Sequence, residues 1–250
     1  MSDRIATANV ADLIVTPAVG QIERMVQDVP GWSPLDQLAA LFYLAYGSDV
    51  EGDIIELGSW CGRSTTALGL AAKLSGHSVV HAIDLFPERS DWRRNEDGSH
   101  SLMVTLSGTE IRAYQEQTVW AEPFDRDIAP VYEAHHSVLA AFEETIARNG
   151  LNDVVRPFRG SLDMFAAAAP RHLRCKLAFI DGDHSYDAVC HDIHLVERFL
   201  APGGWVCFDD AFSSYEGVDR AIREEVIDSG RYDRFQQVTR KCFVARRTRR

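Results

Sequence analysis

"DIIELGSWCGRSTTALGLAAKL", residues 53–74, decides the fold. Asp53 to Leu57 reads as a buried strand ending in an acid, Glu56. A turn bearing Gly58 and Gly62 follows, and then a helix over residues 63–74 that Ser75-Gly76 closes. A strand that turns through glycines into a helix is the first half of a βαβ unit. Glycine in that turn lets the backbone approach a ligand with no Cβ in the way. In open α/β sheets the carboxyl ends of the strands are where ligands bind. The spacing is ExGxxxG, not GxGxxG, so the dinucleotide fingerprint is absent.

Working outward, short apolar runs and amphipathic helices alternate. "SVVHAIDL" (78–85) is a strand ending in Asp84. Val138, Leu139, Phe142 and Ile146 mark a helix that Asn149-Gly150 stops, and "DVVRPF" (153–158) is the next strand. A short helix is expected near 161–169. "KLAFID" (176–181) leads into a helix with Val189, Ile193, Val196 and Leu200 on one face, and "PGG" (202–204) ends it. "WVCFDD" (205–210) is followed by a helix through Val218, Ile222 and Val226. "FQQVTRKCFVARR" (235–247) reads as two antiparallel strands. Strands alternating with helices imply a parallel sheet with right-handed crossovers and helices on both faces.

Two regions stand outside this scheme. Residues 1–48 carry two helical patterns, "AVGQIERMVQDV" and "SPLDQLAALFYLAYG", and form an N-terminal helical cap ahead of a domain over 49–250. Leu41, Phe42 and Tyr46 there suit either a cover over the site or a contact in a homodimer or higher homo-oligomer. Residues 86–130 form a polar-aromatic insertion with Trp92, Tyr114, Trp120 and Phe124. So long a connection without clear elements implies a lid, a binding loop or an unrecognised helix.

The totals set bounds. A hydrophobic share of 46% and a charged share of 25% are those of a globular domain. A net charge of -11 argues against a nucleic-acid partner, which needs a basic face; the terminal "RRTRR" is read as a solvated tail. The five cysteines show no CxxC spacing, as in a cytoplasmic protein with reduced, packed thiols. No stretch has the apolar length that spans a bilayer, and no secretory leader is visible at the start, so no membrane partner is expected.

Chemistry concentrates at strand ends. Asp84 ends the second strand, where an acid can accept hydrogen bonds from both hydroxyls of a ribose. "CKLAFIDGDHSYD" (175–187) runs from apolar residues into Asp181, Asp183, His184 and Asp187, and "GWVCFDD" (204–210) into Asp209 and Asp210. One crossover helix joins these two strands, which makes them sheet neighbours about 4.8 Å apart. Asp181, Asp209 and Asp210 packed there would repel one another and take up protons unless a cation sat between them. An all-oxygen set suits Mg²⁺, Mn²⁺ or Ca²⁺ and not zinc. Asp183 and Asp187 are also placed to cap the helix beginning near 185. His191 and His194, at HxxH spacing, lie off that helix's apolar face and are read as solvated.

With these residues in order, the chain over roughly 50–250 resembles the class I S-adenosylmethionine-dependent methyltransferases. The resemblance implies a Rossmann-like, seven-stranded, mostly parallel sheet. It assigns the cofactor to Glu56, Gly58, Gly62 and Asp84, with Ser161 near the adenine and Asp181 at the cofactor's edge. "FIDGDHSYDAV" and "GGWVCFDDAF" are similar to the macrocin O-methyltransferase and cephalosporin-hydroxylase-like branch. That branch implies a divalent metal on Asp181, Asp209 and Asp210, and a sugar hydroxyl of a secondary metabolite as methyl acceptor. Asp183 is the branch's candidate base. His184 stands where sugar-modifying members carry an aliphatic residue, so Asp183 and His184 are both candidates here. The rival readings are a metal-independent N- or C-methyltransferase, an NAD-dependent enzyme and a nucleoside-binding protein without turnover.

Overall fold

The computed structural model describes residues 10–113 and 119–249, without the side chains of residues 10–17, 112 and 113. Tyr114, singled out in the insertion, lies outside the described residues. The domain is built on strands β1 (Asp53–Leu57), β2 (Val80–Asp84), β6 (Val155–Arg159), β7 (Cys175–Ile180), β8 (Leu200–Phe208), β9 (Tyr232–Gln237) and β10 (Phe243–Arg247). They form one seven-stranded sheet in the order β6-β2-β1-β7-β8-β10-β9. Pairing is parallel from β6 through β8, while β10 runs antiparallel to both of its neighbours. The expected Rossmann-like sheet and the expected antiparallel pair at its end are both present.

Side-chain alternation divides the core between the two faces. Ile54, Leu177, Phe179 and Cys207 point to one face, and Ile55, Ala178, Ile180, Val206 and Phe208 to the other. β7 is buried at all six positions, as a central parallel strand covered on both sides should be. On the first face lie helices α1 (Val10–Val26), α2 (Leu35–Tyr46), α3 (Arg63–Ser75) and α6 (Val138–Arg148). Leu38, Leu41 and Phe42 of α2 are fully buried in this core, so the N-terminal segment is part of the domain's packing. On the opposite face lie α7 (Leu162–Ala168), α8 (Tyr186–Glu197) and α9 (Glu216–Ala221). Among the described residues no helix is long and apolar enough to cross a membrane.

The insertion holds a structure of its own. β3 (Trp92–Arg94), β4 (His100–Leu106) and β5 (Thr109–Ala113) make a second, antiparallel sheet. Short helical segments α4 (Ala121–Pro123) and α5 (Ala129–His135) follow, joined by a wide turn over Phe124–Ile128. Ser107 and Gly108 link β4 to β5 with φ of 51° and 81°, the left-handed pair of a tight hairpin turn.

Candidate active site

The register of the sheet assembles the site. Ile83 pairs with Leu57, Leu57 with Ile180, and Ile180 with Phe208. The next residue of each strand therefore comes abreast at the carboxyl edge: Asp84, Gly58, Asp181 and Asp209. Strand order reverses between β1 and β7, since β2 lies on one side and β8 on the other, and a crevice opens at such a point. A cleft of about 850 Å³ lies there.

One half of the cleft is made by the ends of β1 and β2. Asp84 lines it, and both carboxylate oxygens are held by backbone: Trp60 N–H donates to Oδ2 at 2.9 Å and Phe86 N–H to Oδ1 at 2.6 Å. Trp60 and Phe86 both sit in the left-handed region, with φ of 46° and 44°, a conformation costly for bulky residues. Burial raises the Asp84 pKa above the usual carboxylate value. Trp60 Nε1 is buried on the cleft wall and finds no hydrogen-bond partner among the described residues, a donor that a bound nucleoside could satisfy.

The other residues assigned to the cofactor are employed differently. Gly58 lines the cleft with φ of 88°, and a Cβ there would fall 1.8 Å from the Asp181 carbonyl oxygen. Its glycine is demanded by the neighbouring strand, not only by a ligand. Gly62, with φ of 87°, turns its missing side chain toward Phe142 in the core. Glu56 is fully buried beneath the turn: Ser59 Oγ donates to its Oε2 at 2.9 Å and Thr65 Oγ1 at 2.5 Å. Burial pushes its pKa up to about 7. It fastens the turn to α3. Ser161 caps α7, its Oγ accepting from Met164 N–H at 3.3 Å, and does not line the cleft.

The other half is acidic. Ligand atoms of Asp181, His184 and Asp210 lie within 4.8 Å of one another, and all three residues line the cleft. His184 Nε2 stands 3.2 Å from Asp210 Oδ2, and its ring stacks on Tyr215 at 4.2 Å and 11°. Asp210 takes a left-handed φ of 51° to reach this position. Burial and then the charge of Asp209 push the Asp181 carboxyl well above the ordinary range. Burial also works against ionising Asp210, but His184 and Lys241 bring its pKa below the usual value.

Two of the expected site residues are bound by groups of the protein itself. Asp209 is 4% exposed and both oxygens are taken: Gln37 Nε2 donates to Oδ1 at 3.0 Å and Lys241 Nζ to Oδ2 at 2.9 Å. The ligand-type groups that come together most compactly are thus Asp181, His184 and Asp210, while Asp209 lines the cleft with its oxygens bound by Gln37 and Lys241. Asp183 accepts the Ser185 N–H at 2.7 Å in an Asx turn ahead of α8, whose N-cap is Ser185, and does not line the cleft. His184 does.

A family model described as a methyltransferase domain matches residues 55–211, from inside β1 to just past the paired acids. The chain belongs to that methyltransferase family. Its fold is similar to that of the O-methyltransferase NovP, at 18% identity and a TM-score of 0.60, over 96% of this chain and 100% of that one. It is similar to CalS11, a calicheamicin methyltransferase, at 14% and 0.55, over 92% and 91%. It is also similar to TomG of Streptomyces achromogenes, an O-methyltransferase of tomaymycin synthesis in complex with S-adenosylmethionine, at 15% and 0.53, over 99% and 100%. At such identities the likeness is one of fold. The chain is a class I S-adenosylmethionine-dependent methyltransferase.

The methyltransferase's insertion and N-terminal segment complete the walls. Trp92 is 6% exposed, packs edge-on against Phe124 at 5.2 Å, and donates through Nε1 to Tyr132 Oη at 2.8 Å. Tyr132 Oη in turn donates to the Pro87 carbonyl. Trp120, by contrast, is 59% exposed on the cleft. Trp32, 55% exposed, also lines the cleft and leans on Trp60 at 5.9 Å. Arg63 of α3 binds the carbonyls of Val26, Val29 and Ser33, which fixes the N-terminal segment to the cofactor turn. His191 and His194 pair separately with Asp163 and Glu225 on the surface. Gln37 and Lys241 escaped the sequence reading because neither sits in a motif. Only the fold brings them to Asp209.

Proposed function

We propose that this methyltransferase methylates a hydroxyl group of a small molecule held in the cleft, with a divalent cation beside it. The single observation that carries the reading is that one cleft joins the Asp84 half to the Asp181–His184–Asp210 cluster. S-adenosylmethionine supplies an electrophilic methyl group. A divalent ion such as Mg²⁺ lowers the pKa of a bound hydroxyl and orients it.

Asp181 and Asp210 are the carboxylates that would hold the ion; Mg²⁺ sites commonly use one or two carboxylates with water and substrate completing the shell. Asp84 would anchor the cofactor's ribose. His184 is the proton acceptor: it lines the cleft, stacks on Tyr215 and is held by Asp210, all of which fix its ring. A positioned base of this kind contributes on the order of 10²–10⁴-fold. The aromatic walls from Trp32 and Trp120 suit a ring-shaped acceptor, and a sugar of a secondary metabolite fits this reading. CalS11, which shares the fold, is a TDP-rhamnose 3'-O-methyltransferase.

The test is turnover with and without chelator. Activity should vanish in excess EDTA and return with Mg²⁺ or Mn²⁺. Asp210→Asn should lower turnover by about 100-fold or more while S-adenosylmethionine binding, measured by calorimetry, stays within about threefold. Undiminished activity in EDTA sinks the metal-assisted reading.

A further inference from the structure

Lys241 lies in the turn between β9 and β10, and its side chain is only 15% exposed. Its Nζ stands 2.9 Å from Asp209 Oδ2 and 3.4 Å from Asp210 Oδ1, inside the cleft lining. The backbone is fixed as well, because the N–H of Ala211, the residue after Asp210, donates to the Lys241 carbonyl at 2.9 Å. Gln37 takes the remaining oxygen of Asp209. An ammonium is therefore built into the acidic cluster and shares an acid with the cation-binding set.

We infer that Lys241 is a resident counter-ion that keeps Asp209 out of the metal's ligand set and competes with a divalent ion for Asp210. This rests on the reading of Asp181 and Asp210 as the cation's carboxylates. The charges make the competition unavoidable. Asp181, Asp209 and Asp210 can carry three negative charges, and Lys241 offsets one of them permanently. A divalent ion entering between Asp181 and Asp210 meets a like charge a few ångströms away, in a half-buried site where screening is weak. With the ammonium present, the cluster neutralises a divalent ion without excess negative charge, so the ion binds weakly and exchanges readily. Without it, a third carboxylate would be free to join the shell, and affinity rises with ligand charge. A lysine is suited to this role because its flexible stem lets the charge move aside while it stays tethered.

Calorimetric titration of MnCl₂ into the full-length chain, stripped of metal by chelator and dialysis, tests the inference without relying on activity. Lys241→Met should bind Mn²⁺ about tenfold or more tighter than the wild type. Lys241→Arg, which keeps the charge, should stay near the wild type. Asp209→Asn/Lys241→Met removes a matched pair of charges and so guards against misfolding. It should lose part of the gain yet remain tighter than the wild type. If Lys241→Met and the double variant both bind Mn²⁺ with wild-type affinity, the counter-ion role is wrong and the cation site stands. If Lys241→Arg binds as tightly as Lys241→Met, charge is not the cause and the inference falls. If no variant binds Mn²⁺ at millimolar concentration, the cation site itself is lost, and the inference with it.

Discussion

The two halves of the cleft are built by opposite means. On the cofactor side, Asp84 is gripped by the backbone of Trp60 and Phe86, and Gly58 is pressed against the Asp181 carbonyl. Every contact there lies within the first βαβ unit or on its adjoining strand. On the acceptor side the side chains hold one another: His184 with Asp210, Lys241 with Asp209 and Asp210, and Gln37 with Asp209 across 172 positions of sequence. A rigid backbone cradle suits a ligand that is always the same. A cluster of interlocked charged side chains suits the cation and the proton acceptor proposed for that half. Breaking the first half should therefore cost the fold, and breaking the second should cost chemistry.

The largest effect expected is at Gly58. A methyl group at this left-handed position would overlap the Asp181 carbonyl oxygen, so β1 and β7 could not keep their register. Gly58→Ala should destabilise the protein by about 3 kcal/mol or more, or prevent folding. Gly76, also left-handed at φ 75° but with open space around the missing Cβ, is the control. Gly76→Ala should cost about 1 kcal/mol. Thermal melts of the two variants check this, and equal losses would show that conformation alone, without the strand contact, sets the requirement.

Glu56 sharpens the comparison through pH. Its carboxyl ionises near 7 when folded, against an ordinary value of 4.5, because burial disfavours the charge. The folded state thus holds a proton that the unfolded chain releases, so stability falls as pH rises from about 4.5 to about 7 and is level above. Glu56→Gln keeps an acceptor for Ser59 and Thr65 and removes the titration. Relative to the variant, the wild type should lose about 3 kcal/mol between pH 4.5 and 8. Urea melts across that range measure it; parallel curves for the two proteins would contradict the buried-acid account.

The same contrast explains what was legible in the sequence. The sheet could be read because each buried strand is a short apolar run between glycine and helix signals, and strand ends on neighbouring strands must converge. Asp84, Asp181, His184 and Asp210 follow from that logic. Glu56, Gly62 and Ser161 belong to the same motifs, yet their side-chain direction depends on the turn's path, which spacing does not encode. Asp209 and Asp210 are adjacent in sequence and look equivalent. The left-handed φ at Asp210 points the two in different directions, and Lys241 and Gln37 then claim one of them. The hairpin of the insertion was signalled, by Leu102, Val104 and Leu106 recurring at every second position ahead of Ser107-Gly108. Its brevity within a long polar stretch hid the pattern.

The smallest effect is expected at Trp120, for which the insertion's other tryptophan is the contrast. Trp92 is a core residue, with its ring on Phe124 and its Nε1 bound to Tyr132, so Trp92→Ala should cost stability in the range of about 3–5 kcal/mol. Trp120 stands exposed on the cleft wall, where a ring can stack on a bound acceptor but supports little of the fold. Trp120→Ala should leave the melting temperature nearly unchanged and raise KM for the acceptor by about 5- to 10-fold, the equivalent of roughly 1–1.5 kcal/mol of lost aromatic contact. Since Trp120 carries no group that takes or gives the proton assigned to His184, kcat should hold. A fall in kcat with KM unchanged would instead place Trp120 among the groups that act on the transition state, and the cleft's aromatic wall would then belong to the chemistry and not to recognition.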